Sequence, residues 1–433
     1  MTAPGSSWGN YPKATQEILS LHNRFDPLPA RTGPLLPYGN GRSYGDVCLN
    51  DGHSLICTRG LDRYIRFDPV AGILECEAGV QLADLIALTL PQGWFPAVTP
   101  GTKFVTVGGA IANDVHGKNH HRAGSFGHHV LDFELLRSDG GSLRCSPNQN
   151  AELFRATVGG LGLTGLIRSA RLQLAKVPGP WLEGDSLRFG GLDEFFALSE
   201  ESDRDYEHTV ARVDCVAKGA SLGRGILHRA NWTASTRTAP VARNWRVPFT
   251  PPIPLINRWS LRCFNQLYFR WQGNASARQL WHYDSFFYPL DGIQEWNRIY
   301  GPRGFLQYQC VLPCTSAQES LRQMLSAIAQ SGQGSFLAVL KRFGNRPAAG
   351  LLSFARPGVT LALDFPHRGE TTLRLLESLD AITREARGAV YPAKDARMSA
   401  TSFAAYYPQW RELERQRDPA ISSSFWRRVT ETA

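Results

Sequence analysis

The chain has 433 residues, 42% hydrophobic and 20% charged, with 41 Gly and 27 Pro. This is a globular composition, long enough for two domains of roughly 100–200 residues each, and it excludes a disordered or fibrous chain. The formal net charge of +9 favours anionic partners such as phosphates or an anionic membrane surface; the basic residues are spread out, no RNA- or DNA-binding motif accompanies them, and a nucleic-acid partner is not expected.

The N-terminal MTAPGSSWGNYPKA lacks the basic-then-apolar layout of a secretory signal. No run approaches the roughly 18 uncharged apolar residues of a spanning helix. A soluble, cytoplasmic polypeptide is the expectation, and eight cysteines without repeating spacing fit a reduced compartment. PYGNGRSYGD, residues 37–46, holds three Gly among polar residues, a segment whose backbone N–H groups can converge on an anion. From Tyr64, YIRFDPVAGILECEAGV predicts two strands around a turn at Asp68–Gly72. QLADLIALTL has helical spacing, with Leu82, Leu85, Ile86 and Leu90 on one face.

TPGTKFVTVGGAIANDVHGKNHHRAGSFGHHV, residues 99–130, places Gly108-Gly109 at the opening of a short helix, where Gly109 would let a helix N-terminus approach a pyrophosphate. It also carries His116, His120, His121, His128 and His129. These lack a carboxylate or Cys in a metal-binding spacing, so no metal is expected and most are read as surface histidines. VLDFELLRSDGGSLRCS predicts a hairpin turning at Asp139-Gly140-Gly141, AELFRATVGG a short helix and LIRSARLQLAKV a strand. Gly160–Gly165 satisfies G-x-G-x-x-G, yet a helix precedes it and a strand follows, the reverse of a Rossmann unit. An NAD site there is rejected; a Gly-rich turn lying against a flat cofactor stays open.

A composition shift at VPGPWLEGD, residues 177–185, predicts a domain boundary. Residues 229–259 hold five Pro and five Arg among Trp and Phe without periodicity, and read as a long loop, either an active-site lid or a plain insertion. Lys394 sits in the polar turn VYPAKDARMSA, where a lone Lys is ordinarily solvated. The Arg- and aromatic-rich tail, with a stop at Asp418-Pro419, is expected to dock on the rest of the molecule.

Together and in this order, these segments resemble the vanillyl-alcohol-oxidase (PCMH-type) FAD-binding superfamily. NGRSYGD, PGTKFVTVGGAIANDVHGKNHHRAGSFG, ATVGGLGLTG, EWNRIYGPRGFLQYQ, AVLKRFG, LDFP and YPAKDAR are similar, within it, to the decaprenylphosphoryl-β-D-ribose oxidase family, over about residues 37–420. The resemblance implies an α+β, two-domain fold: an FAD domain over 1–178, a substrate domain over 179–388 built on an antiparallel sheet flanked by helices, and a segment 389–433 returning to the FAD domain.

It implies that Gly41, Arg42, Ser43, Tyr44, Gly45 and Asp46, with Gly101, Thr106, Val107, Gly108 and Gly109, hold the FAD diphosphate. His116, Gly117, Lys118 and Asn119 would line the isoalloxazine and pyrophosphate, Ile167 the adenine side, and Tyr391 would touch the flavin. Lys118, Tyr288, Gln307, Gln309, Lys341 and Phe343 would surround a sugar, with Lys394 catalytic and Tyr44 a second polar group at the reacting carbon. Where the family's pocket has Asn and Cys, this chain has Thr360 and Ala362. The implied reaction oxidises a sugar secondary alcohol, the 2′-hydroxyl of a polyprenylphosphoryl-β-D-ribose, by hydride transfer to non-covalently bound FAD. An NADH-dependent keto-reductase partner and peripheral membrane association follow. The alternatives are an aldonolactone or alditol oxidase using oxygen, and a non-enzymatic basic binding protein.

Overall fold

The computed structural model describes residues 4–30, 33–240, 245–256, 258–271 and 278–431. Strands Tyr64–Asp68 and Ile73–Glu77 form the predicted antiparallel pair, and the turn between them is held by the Asp68 carboxylate, which accepts from the Val70 and Ala71 amides. Ile73–Glu77 pairs with the long strand Leu166–Lys176, which pairs with Val130–Leu136, itself the first arm of the hairpin closed by Ser142–Cys145. Trp94–Pro96 adds to the far end of the long strand. Helix Leu82–Thr89 buries Leu82, Leu85 and Ile86; Leu90 already belongs to the next, tighter turn and is only partly buried. Beside this sheet lies a parallel group in which Ser54–Cys57 is flanked by Glu17–Ser20 and Leu35–Tyr38.

The second sheet has eight strands in the order Gln279–His282, Trp181–Phe189, Gly225–Thr233, His208–Val213, Val339–Phe343, Gly358–Pro366, Phe305–Leu312 and Ala389–Val390. Every recorded pairing in it is antiparallel. Helices Leu192–Asp205, Ala317–Ser331 and Glu370–Glu385 bury apolar stripes against it, with Leu321, Met324, Leu325, Ile328, Leu376 and Leu379 at or near zero exposure. The period-2 alternation of each strand leaves the opposite face free to carry polar residues.

Two expectations are corrected. The segment 229–259 is not one loop. It starts inside the strand Gly225–Thr233, its Trp245–Arg246 pairs in parallel with Ile293–Gln294, and its last residues enter the helix Arg258–Trp271; residues 241–244 and 257 lie outside the described residues. Strong amphipathicity, with Trp and Phe recurring in RWSLRCFNQLYFRW, marks that helix, but the prolines before it mask the start. The histidines of 116–129 are not a surface group: His116 and His120 are buried and the other three are partly covered. Each has a protein contact, for example His120 Nδ1 accepting from the Gly344 amide at 3.1 Å and His129 Nε2 against the Ala123 carbonyl at 2.9 Å.

The tail packs on the N-terminal part. Leu35 bridges to Ile421, and Arg428 spans the buried carboxylates of Asp46 (2.8 Å) and Asp395 (3.0 Å). Asp418 accepts from the amides of Ser138 (2.7 Å) and Ala420 (2.9 Å). These contacts fix the turn that carries Lys394.

Candidate active site

A cavity of about 770 Å³ opens between the two sheets. That is toward the upper end of the roughly 300–1,000 Å³ usual for small-molecule sites. One half is lined by Gly41, Arg42, Ser43, Tyr44, Gly101, Thr106, Gly108, Gly109, Gly117 and Ile167; the other by Gln307, Gln309, Lys341, Ala362 and Asp364, with Lys118, His116, Tyr391 and Lys394 also on its wall.

The glycine-lined half fits an extended dinucleotide. Gly41 has φ +59, a conformation suited to glycine, and the consecutive amides of Gly41, Arg42 and Ser43 donate to no described protein group. Successive free N–H groups at such a bend form an anion-binding concavity. A Cβ placed on Gly101 or Gly162 would meet no atom within 4 Å, so both face open space. Three buried polar atoms on the wall, Arg42 Nε, Asn113 Oδ1 and His116 Nδ1, have no partner. Unsatisfied groups of this kind cost about 1–3 kcal/mol unless something binds them.

The helix Val107–Ala112 brings Gly108 and Gly109 to the wall but leaves none of its first three amides free. Its first amides are already engaged: Val107 donates to Val80 O and Gly108 to Ala78 O, both at 2.8 Å, and Gly109 to Thr106 Oγ1 at 3.2 Å. Val107 is wholly buried in the core and contributes no cavity surface. Gly45, Asp46 and Asn119 also stand behind the wall. Gly45 is required by packing, since its Cβ would meet the Asp395 carbonyl at 1.8 Å; Asp46 serves Arg428; and Asn119 Nδ2 donates to Ala97 O at 2.9 Å.

Lys394 ends a short 3₁₀ turn opened by Pro392, a residue suited to a first helical position that has no amide to satisfy. The turn is placed by Tyr391, whose amide donates to Gln309 O (2.9 Å) and whose phenol donates to Asn113 O (2.8 Å). The Tyr44 amide donates to Ala393 O at 2.9 Å, which brings the Tyr44 ring beneath the amine: Lys394 Nζ lies 3.9 Å from its centroid. Asp364, on the strand Gly358–Pro366, is buried and accepts from Gln307 Nε2 at 2.5 Å, with the Tyr300 phenol as a further hydrogen-bond partner.

Burial pushes the Lys394 amine well below the usual lysine range, against the pull of Asp364, and Lys341 lowers it further. Burial likewise raises Asp364, against the pull of Gln307 and Lys394. Burial thus disfavours the charged form of both groups, and each partly restores the charge of the other. Lys341 is lowered to about 8 by burial, and Lys118 well below its ordinary value by burial, Arg212 and Lys341. His116 is held neutral by burial and by Lys341, His120 and Lys394; its Nε2 faces Gln309 Nε2 at 2.9 Å and so acts as acceptor.

Of the expected sugar-binding residues, Gln307, Gln309, Lys341, Ala362, Lys118 and Lys394 line the cavity, whereas Tyr288, Phe343 and Thr360 sit behind it. Tyr288 shares a 2.5 Å hydrogen bond with Thr99, Phe343 packs edge-on against His116 at 4.9 Å, and Thr360 accepts from Gln309 at 3.2 Å. Their side chains orient the wall. The expected set leaves out Asp364, Asn113, Gly162, Arg212, His228 and Tyr268, all on the wall. Asp364 had a legible signal, an acid inside the apolar strand run GVTLALDFP, where a charge needs a partner.

Residues 27–146 match the family described as FAD binding domain. The chain is 37% identical to decaprenylphosphoryl-beta-D-ribose oxidase of Mycolicibacterium smegmatis, across 88% of this chain and 85% of that one. It is 35% identical to an uncharacterized protein in the mprA 5′ region of Streptomyces coelicolor, across 79% of this chain and 96% of the other. A shorter match, 31% over 39% of this chain and 33% of the relative, is to cytokinin dehydrogenase 7 of Oryza sativa subsp. japonica. FAD is the cofactor that the free amides, the unpartnered polar atoms and the open glycine faces accommodate, and the fold is the α+β PCMH-type FAD-binding fold. The protein is an FAD-dependent oxidoreductase acting on an alcohol, and it belongs to the decaprenylphosphoryl-β-D-ribose oxidase family.

Proposed function

We propose that the protein oxidises the 2′-hydroxyl of a polyprenylphosphoryl-β-D-ribose to the 2′-ketone. The observation that carries this reading is the Lys394–Asp364 pair on the wall of a cavity whose other half fits a dinucleotide. FAD, when bound, supplies the two-electron acceptor. Lys394, lowered by burial, receives or orients the hydroxyl proton, a contribution of about 10²–10⁴ in rate for a positioned acid–base group. Asp364 holds positive charge on that amine as the proton arrives, and Gln307 keeps the carboxylate facing the cavity. Gln309, steadied by His116 and Thr360, presents an amide to the sugar, and Tyr44 closes the site beneath the amine.

The phosphate-bearing substrate class is supported by Lys118 and Lys341 on the same wall, and by the substrate named for the Mycolicibacterium relative. FAD is held non-covalently in this reading, and Gly41, Arg42 and Ser43 take its diphosphate. A keto product calls for a separate NADH-dependent reductase, and a lipid-linked substrate for peripheral contact of this basic chain with an anionic membrane. The test is dye-linked turnover of farnesylphosphoryl-ribose by purified protein. Turnover of this compound, and none of free alditols, is the expected result; rapid turnover of alditols with oxygen and none of the phosphoryl sugar would overturn the assignment.

A further inference from the structure

The cavity floor is one face of the eight-stranded sheet, and its register fixes the order of groups along it. Gln307 is opposite Asp364, Gln309 opposite Ala362, Ala362 opposite Val339, and Val339 opposite Arg212. Val210, two residues before Arg212 and so on the same face, is opposite His228. Arg212 therefore stands two strands across from Ala362 and two residues further along from Asp364, about 12 Å between backbone positions at the usual spacings. With both side chains reaching inward, the remaining gap is comparable with a pentose carrying a phosphate ester.

Arg212 is held from the side away from Asp364. Its guanidinium lies 5.2 Å from the centroid of the Tyr268 ring and hydrogen-bonds that phenol. The Tyr268 hydroxyl lies 3.2 Å from His228 Nε2, whose Nδ1 is 2.9 Å from Ser186 Oγ. The nearest acid along the strand, Asp214, is already taken by Arg224 (2.9 Å) and Asn265 (2.8 Å). Among the described residues, Arg212, Lys118 and Lys341 pair with no carboxylate; Lys118 reaches the Phe286 carbonyl and lies over the Phe286 ring at 4.6 Å, and Lys341 reaches the Gly117 carbonyl. Like charges gathered on one wall without a counter-ion are costly unless an anion joins them.

We propose that Arg212, with Lys341 and Lys118, forms a subsite for a phosphodiester attached to the sugar, with Tyr268 and His228 as positioning residues for the guanidinium. The subsite rests on the function proposed above and extends it. It places the phosphate at the Arg212 end of the sheet face and the reacting carbon at the Lys394 end. A planar guanidinium donates two parallel hydrogen bonds to a phosphate, which a lysine does not reproduce.

Calorimetric titration of the flavin-loaded protein with farnesyl phosphate and with farnesol tests this. The wild type should bind the phosphate more tightly than the alcohol. Arg212→Met should weaken farnesyl phosphate about tenfold to a hundredfold, as for a lost charged hydrogen bond, and leave farnesol unchanged. Arg212→Lys should fall between, and Lys341→Met should show the same selective loss, which guards against one misfolded variant. Equal loss for both ligands, or no loss of farnesyl phosphate binding in either Met variant, overturns the subsite. If both Met variants bind farnesyl phosphate as the wild type does while farnesylphosphoryl-ribose is still oxidised, the function stands and only the subsite falls. If the wild type turns over no phosphoryl sugar, both fall.

Discussion

Lys394 lies over the Tyr44 ring and on the same wall as Asp364, and its amine is lowered by burial while Asp364 pulls it back up. The sign of the Asp364→Asn change follows. Removing the carboxylate removes an attraction that favours the charged amine, so the amine loses its proton at lower pH. The acid limb of kcat/KM should move down by about one unit or more, and a limb that stays in place or moves up would contradict the pairing. Lys394→Met should cut kcat about 10²–10⁴-fold while leaving the flavin bound, as read by the visible spectrum. At Gly41 a Cβ would meet Tyr38 Oη at 2.1 Å and Ser6 O at 2.6 Å, on a backbone with φ +59. Gly41→Ala should therefore lose flavin on gel filtration, with destabilisation of about 1–3 kcal/mol by the strain. Position was legible when chemistry and turn shape coincided: Gly41 and Arg42 do line the cavity. Asp46 and Gly45 lie in the same motif but serve packing, a distinction that depends on Arg428 and Asp395, remote in sequence.

The elements that carry the site are short turns braced by distant strands. The 3₁₀ turn Pro392–Lys394 is tied to Gln309 on one side and to Tyr44 on the other, and its following Asp395 is clamped by Arg428 of the last helix. Removing one partner of a buried pair leaves an uncompensated charge and costs about 3–5 kcal/mol. Arg428→Met should lower stability by that amount in chemical denaturation, and a loss below about 1 kcal/mol would show that the clamp is dispensable. Local pattern sufficed for the Tyr64–Glu77 strand pair, the 130–145 hairpin and the helix after residue 150, because each follows its own period. It found the short helix at Gly108-Gly109 but not the fate of its first amides, which are taken by Val80 and Ala78 from a segment about 30 residues earlier. It failed in 229–259, where pairing with Ile293–Gln294 decides the conformation.

Across the whole molecule, two sheets meet at one cavity, and the chemistry divides between them: free amides and open glycines on one, an amine, a carboxylate and unpaired cations on the other. The alternation that buries one face of the second sheet under three helices is what turns Gln307, Gln309, Ala362, Asp364 and Arg212 together toward the cavity. In the non-covalent reading, acid precipitation should release the yellow colour into the supernatant, and colour retained in the pellet would refute it. The central claim is that Lys394 acts on an alcohol held between it and the cofactor. Its most direct test is anaerobic mixing of the yellow protein with farnesylphosphoryl-ribose while absorbance near the flavin maximum is followed. The wild type should bleach and Lys394→Met should stay yellow; a colourless purified protein, or a variant that bleaches at the wild-type rate, would contradict it.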